Sequence, residues 1–171
     1  PLGGVSLRIV DAEGHTCAPG VEGEIEVEGP IVMRGYLDDF EATNRARRDG
    51  WLATGDVGRL DAAGRLRVLD RRTDLILSGG ENVYPAQVES ALEAHPDVVE
   101  AGVRGVDDAA YGARPAAWVV LREGARPDEE ALAAFLRDRL AGYAIPARIT
   151  FVDALPRNAT GKLLRRELGA D

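Results

Sequence analysis

The chain has one cysteine, one methionine, one lysine and two histidines in 171 residues, and each scarcity removes a class of explanation. With Cys17 alone, in the turn-like "GHTCAPG", no internal disulfide framework exists, and the thiol suits a reducing cytoplasm. His15 and His95 stand apart in the sequence, so no ligand spacing for a metal appears. No apolar run approaches the ~20 residues that span a bilayer, and the start is neither a basic nor an apolar leader. The formal net charge of -8 argues against a nucleic-acid partner, because binders of the phosphate backbone carry clustered cations. The chain starts at Pro1 and its only methionine is Met33, so a fragment of a longer protein is expected. Among 21 basic residues only Lys162 is lysine and the rest are arginine. An ammonium is a compact point charge on a flexible stem, whereas guanidinium is a broad planar fork.

What is present divides into two parts. "VSLRIVD" and "GEIEVEG" alternate apolar and polar residues with period two, and "DAEG" and "DAAG" are turn chemistry between runs. "VGRL" and "GRLRVLD" flank the second of these turns as a hairpin. Residues 1–70 therefore read as antiparallel β, with Glu22, Glu24, Glu26 and Glu28 forming the solvent face of one strand rather than a metal cage. After the charged "DRRTD" the pattern changes. "PAQVESALEAH" sets Val88 and Leu92 four apart behind a helix-opening Pro85. "RPDEEALAAFLRDRLAGY" puts Leu132, Phe135, Leu136 and Leu140 on one helical face, acids in its first turn and Gly142 where a C-terminal cap belongs. "VVEAGVRGV" and "AAWVVLR", between the helices, have strand length. The expected fold class is α+β: an antiparallel β subdomain of partial-barrel type, then a small α+β domain.

Three short stretches carry possible chemistry. "NATGK" invites comparison with a Walker phosphate loop and fails it, since the first glycine position is Pro156 and Leu163 follows the lysine. "GWLATGD" places Asp56 at a turn between strand-like segments, where a carboxylate can accept hydrogen bonds from vicinal hydroxyls such as those of a ribose. "SGGENVYP" sets Gly79 and Gly80 before a proline-opened helix, allowing close backbone approach. Trp51, Tyr36 and Tyr84 read as packing residues.

Together, "GEIEVEGPIVMRGYLDDFEAT", "GWLATGDVGRLDAAGRLRVLDRRTDLILSGGENVYPAQVE" and "FVDALPRNATGKLLRREL" resemble the closing third of an adenylate-forming enzyme of the acyl-CoA synthetase branch. The resemblance covers nearly the whole chain. "ENVYP" and "PRNATGK" are similar to o-succinylbenzoate, fatty-acid and aryl-acid CoA ligases alike. It implies an AMP-forming ligase that joins a carboxylic acid to AMP, using ATP with Mg2+, and then passes the acyl group to CoA. It also implies that residues 1–70 are the last β subdomain of a large domain, 71–74 a hinge, and 75–171 a mobile lid that presents a different face to each step.

By the same resemblance Lys162 is the catalytic lysine of adenylation, Asp56 and Arg71 support the nucleotide, Gly79 and Gly80 turn toward the CoA tunnel, and Thr73 holds the hinge position. The sequence departs from the family pattern at Thr73, where Asp or Lys is usual, and at Ala144, where lysine is frequent. The phosphate loop, the magnesium-binding glutamate and the acyl pocket lie upstream of the region matched. The piece alone is thus expected to be inactive without its missing N-terminal domain. The other readings are a stand-alone nucleotide-binding or interaction module, which should lack an exposed apolar face, and an adenylation domain loading a carrier protein. The spacing from Pro156 to Lys162 also resembles the context in which lysine acetyltransferases silence CoA ligases by neutralising the ammonium.

Overall fold

A computed structural model of the chain describes residues 3–169, which fall into two compact units, Pro1–Thr73 and Asp74–Asp171. The outermost two residues at each end of the expected spans lie outside that description. The α+β class read from the sequence is the class observed.

In the first unit, strands β1 (Ser6–Val10) and β2 (Gly23–Glu28) pair antiparallel, and β2 pairs in turn with the long β4 (Trp51–Leu60). Strands β3 (Arg47–Arg48) and β5 (Leu66–Arg71) also join β4, giving a five-stranded sheet. The β4–β5 hairpin turns where expected: the Asp61 carboxylate accepts the amides of Ala63 and Arg65. A helix that the sequence reading missed, α1 (Phe40–Ala46), begins where the Asp39 side chain accepts the Ala42 amide.

The glutamates of β2 do not form a solvent face. Glu26 is 4% exposed and pairs with Arg8 at 2.7 Å, and Arg8 lies over the Trp51 ring at 4.3 Å. Its neighbour Ile25 is also buried, so both faces of the sheet are covered here. Period-two alternation separates two faces but does not say that only one is covered. Glu24 pairs with Arg72 and Glu22 with Arg59, leaving Glu28 as the exposed member. Tyr36 also differs from expectation: it is exposed, whereas Tyr84 is buried as foreseen.

The second unit carries its own sheet. Strands β6 (Ile76–Ser78) and β7 (Glu81–Val83) form a short hairpin, helix α2 (Pro85–Glu93) follows, and β8 (Val98–Asp108) pairs antiparallel with β9 (Gly112–Leu121). Helix α3 (Glu129–Arg137) leads to β10 (Ile149–Phe151), which joins β9 in parallel. Val88 and Leu92 of α2 pack with Leu132 and Leu136 of α3 over the sheet, and the three leucines are wholly buried. Burial of each contributes about 1.5–3 kcal/mol. Asp128 caps α3 by accepting the Ala131 amide, with Glu129 and Glu130 in the first turn. Gly142 does not cap α3. The helix stops at Arg137, and Gly142 opens a 3-10 turn, Gly142–Ala144, that buries Ala144 in the core. His95 packs edge-on against Phe135 at 4.8 Å.

Candidate functional site

Asp56 and Arg71 come together in the first unit. The sequence suggests a turn for Asp56, but it stands inside β4, opposite Arg71 of β5, and Arg71 Nε and Asp56 Oδ1 form an ion pair at 2.8 Å. The turn chemistry of "TGD" is spent on a bulge instead. Between Ala53 and Val57 strand β4 carries extra residues against β2, and Gly55 takes φ +75°. The Thr54 hydroxyl donates to the Ile25 carbonyl and accepts the Asp56 amide, which holds the bulge. The result is a half-exposed carboxylate oriented by a guanidinium, with lone pairs left for hydroxyl donors.

Gly79 and Gly80, in the second unit, form the two-residue connection of the β6–β7 hairpin. Their φ values of +60° and +88° are those of a type I′ turn, which glycine adopts without strain. The Gly79 amide donates to the Tyr111 carbonyl at 2.9 Å, and a Cβ on Gly79 would stand 2.9 Å from the Tyr111 ring. Tyr111 is set by Asp108, whose carboxylate accepts the Tyr111 and Ala110 amides. Those bonds, with the nearby Arg114 charge, hold the Asp108 carboxyl below its ordinary value.

Lys162 occupies the end of a tight turn. Arg157 and Leu163 bridge across it, and the Leu164 amide donates to the Pro156 carbonyl at 2.9 Å. Asn158 ties the tip: its side-chain oxygen accepts the Lys162 amide at 2.8 Å, the Thr160 amide at 3.1 Å and the Thr160 hydroxyl at 2.8 Å. Gly161 takes φ +83°. The Lys162 side chain is exposed, and no ion pair with it occurs among the described residues. Asn158 is a residue the sequence reading passed over; its signal is the Asx-turn chemistry of "NATG".

Other groups do not assemble. No three His, Cys, Asp or Glu side chains converge as a metal cage among the described residues. Burial, followed by the Asp11 charge, pushes the Cys17 thiol above its ordinary value, a poor setting for a nucleophile. Among the described residues no helix is long and apolar enough to cross a membrane.

Residues 87–162 match the family described as AMP-binding enzyme C-terminal domain. This part of the chain is such a domain. The 2-succinylbenzoate–CoA ligase of Geobacillus kaustophilus (strain HTA426) is 61% identical over 156 residues, 91% of this chain and 32% of the relative. A solved structure of the o-succinylbenzoate CoA synthetase from Bacillus subtilis, in complex with the acyl-adenylate intermediate, aligns at TM-score 0.93 and 47% identity, over 99% of this chain and 34% of that one. The same enzyme in complex with ATP and magnesium ion aligns at TM-score 0.90 and 48% identity, over 98% of this chain and 34% of that one. The AMP-binding C-terminal domain thus comes in a chain that spans about a third of the length of the relatives it matches.

Proposed function

We propose that this chain is the closing third of an AMP-forming acid–CoA ligase whose carboxylic acid is 2-succinylbenzoate or a close aryl analogue. The observation that carries the reading is Lys162, the chain's sole lysine, exposed at the tip of an Asn158-tied turn within an AMP-binding C-terminal domain. The choice of an aryl acid over a fatty acid is supported by the 61% identical relative.

In the first half-reaction a carboxylate oxygen attacks the α-phosphorus of ATP and pyrophosphate leaves. Lys162 supplies a cation to the oxygens on which negative charge develops, at the end of a stem long enough to reach and withdraw. Asp56 accepts the ribose hydroxyls, with Arg71 holding its carboxylate in place. In the second half-reaction the CoA thiol takes the acyl group and AMP leaves. Gly79 and Gly80 then leave room for the pantetheine arm, because they have no side chains at the turn.

Thr73 is the hinge. Arg71 and Arg72 before it are tied by ion pairs to Asp56 and Glu24, and Asp74 after it is tied to Arg165. Exposed Ile31, Leu37 and Phe40, at 67%, 92% and 82%, support a piece that packs against the rest of a longer protein over a stand-alone module. A cytoplasmic enzyme silenced by acetylation of Lys162 fits the same scheme, since its exposed ammonium is open to a lysine acetyltransferase.

The test uses the full-length protein, with pyrophosphate release measured from 2-succinylbenzoate and ATP, and thioester formation measured from supplied acyl-adenylate and CoA. Lys162→Ala is expected to slow the first by about a hundredfold or more and the second far less. Equal losses in the two assays would sink the assignment of Lys162. Activity with fatty acids but not with aryl acids would overturn the substrate.

A further inference from the structure

Two arginines fasten the Lys162 turn to one strand. Strand β8 pairs with β9 on one edge only, so its other edge presents backbone groups that need partners. Helix α2 lies along that edge and supplies two carboxylates: Glu89 accepts the Val103 amide at 2.7 Å and Glu93 accepts the Ala101 amide at 3.2 Å. Further contacts to the strand come from the segment around Lys162. Arg157, on the near arm of the turn, pairs with Glu100 of β8 and also donates to the Gly161 carbonyl at 2.7 Å. Arg165, three residues past Lys162, pairs with Glu89 and donates to the Val103 carbonyl at 3.1 Å.

Arg165 makes one contact more. Its Nε donates to Asp74 Oδ2 at 3.2 Å, across 91 residues of sequence, and Asp74 is the first residue of the second unit. The Arg165 side chain is 19% exposed, Glu89 13% and Asp74 33%, so these charges are screened less than those of a surface pair. One planar guanidinium therefore joins the start of the unit, helix α2, strand β8 and the segment bearing Lys162. Only arginine has a fork wide enough for that set of partners.

We propose that Arg165 is a positioning residue for Lys162: through Asp74 and Glu89 it locks the Lys162 turn to the first residue after the hinge, so that movement there carries the ammonium as a rigid body. The proposal rests on the reading of Lys162 as the adenylation lysine. Arg165 touches no reacting atom. Its effect is on where the ammonium sits, and a displacement of about 1 Å in a positioned group costs on the order of a hundredfold in rate.

The test measures both half-reactions in the full-length protein, with Lys162→Ala run beside the Arg165 variants. Arg165→Gln is expected to slow pyrophosphate release by about tenfold to a hundredfold, with transfer from supplied acyl-adenylate changed less than about threefold. Equal losses in both half-reactions, or none in the first, would overturn the proposal. Arg165→Lys keeps the charge without the fork and serves if the glutamine variant does not fold; it is expected to show the same selective loss, and wild-type adenylation by it would count against the role. Asp74→Asn added to Arg165→Gln should slow adenylation no more than about twofold beyond the single variant, whereas multiplying losses would show that Asp74 acts separately. A selective loss in Lys162→Ala with none in Arg165→Gln defeats only the positioning role. A loss in Lys162→Ala that is not selective removes the reading on which it rests.

Discussion

Replacing Asn158 by alanine removes the side-chain acceptor that ties the tip of the Lys162 turn. Three donors lose their partner: the amides of Thr160 and Lys162 and the Thr160 hydroxyl. The hydroxyl rotates to water at little cost. The two amides are exposed, so each bond contributes at the low end of the usual net range, roughly 0.5 kcal/mol. Their sum, about 1 kcal/mol, is a roughly fivefold rise in the opened population of the turn. Amide hydrogen exchange followed by NMR reads this directly. Thr160 and Lys162 should exchange about fivefold faster in Asn158→Ala, while amides of the α2–α3 core stay unchanged. Asn158→Asp keeps an acceptor oxygen in the same place and should exchange at nearly the original rate. Unchanged exchange in the alanine variant, or equal acceleration in both, would refute the account of how the turn is held.

The core and turns give four further expectations. Leu132→Ala empties a fully buried position between α3 and the sheet and should destabilise the second unit by about 2–5 kcal/mol, seen in its denaturation midpoint. Gly80→Ala meets open space, so its cost is the left-handed backbone alone, about 1 kcal/mol, and thermal melting should show it. Gly79→Ala should cost more than that, because its Cβ also meets the Tyr111 ring. The Asp108 carboxyl is held below its ordinary value of 3.8, so its contribution is present above that pH and is lost as pH falls through the lower folded value. Acid titration of Asp108→Asn, monitored at Tyr111, should lack that component.

Much of the local structure was legible in the chain. The β1, β2 and β4–β5 runs follow from period-two alternation and aspartate turns, and both longer helices follow from apolar residues three and four apart. Lys162 stood out because it is the only lysine. The structure departs from the sequence reading in burial and in element bounds: the β2 glutamates are largely covered, α1 forms where no helix is expected, and Gly142 and Asp56 fall in other elements. Gly142 reads as a cap for α3, yet the helix stops at Arg137, and Leu140 and Ala144 reach the core from the irregular segment and the 3-10 turn that follow. Thr-Gly-Asp reads as turn chemistry for Asp56, and a bulge inside a strand uses the same residues for the same backbone reason.

Sequence by itself determined the elements, the faces of the helices and the identity of the residues on offer, since these depend on neighbours two to four positions apart. Only the tertiary structure decided which charges meet. The burial of Glu26 on Arg8, the pairing of Asp56 with Arg71, and the link from Asp74 to Arg165 across 91 residues depend on strand register and on packing between distant segments. A charged side chain has no periodicity that names its partner. The open edge of β8 shows the physical reason: its unpaired backbone groups must be satisfied, and the groups that reach them are those that the fold brings there, Glu89, Glu93 and Arg165.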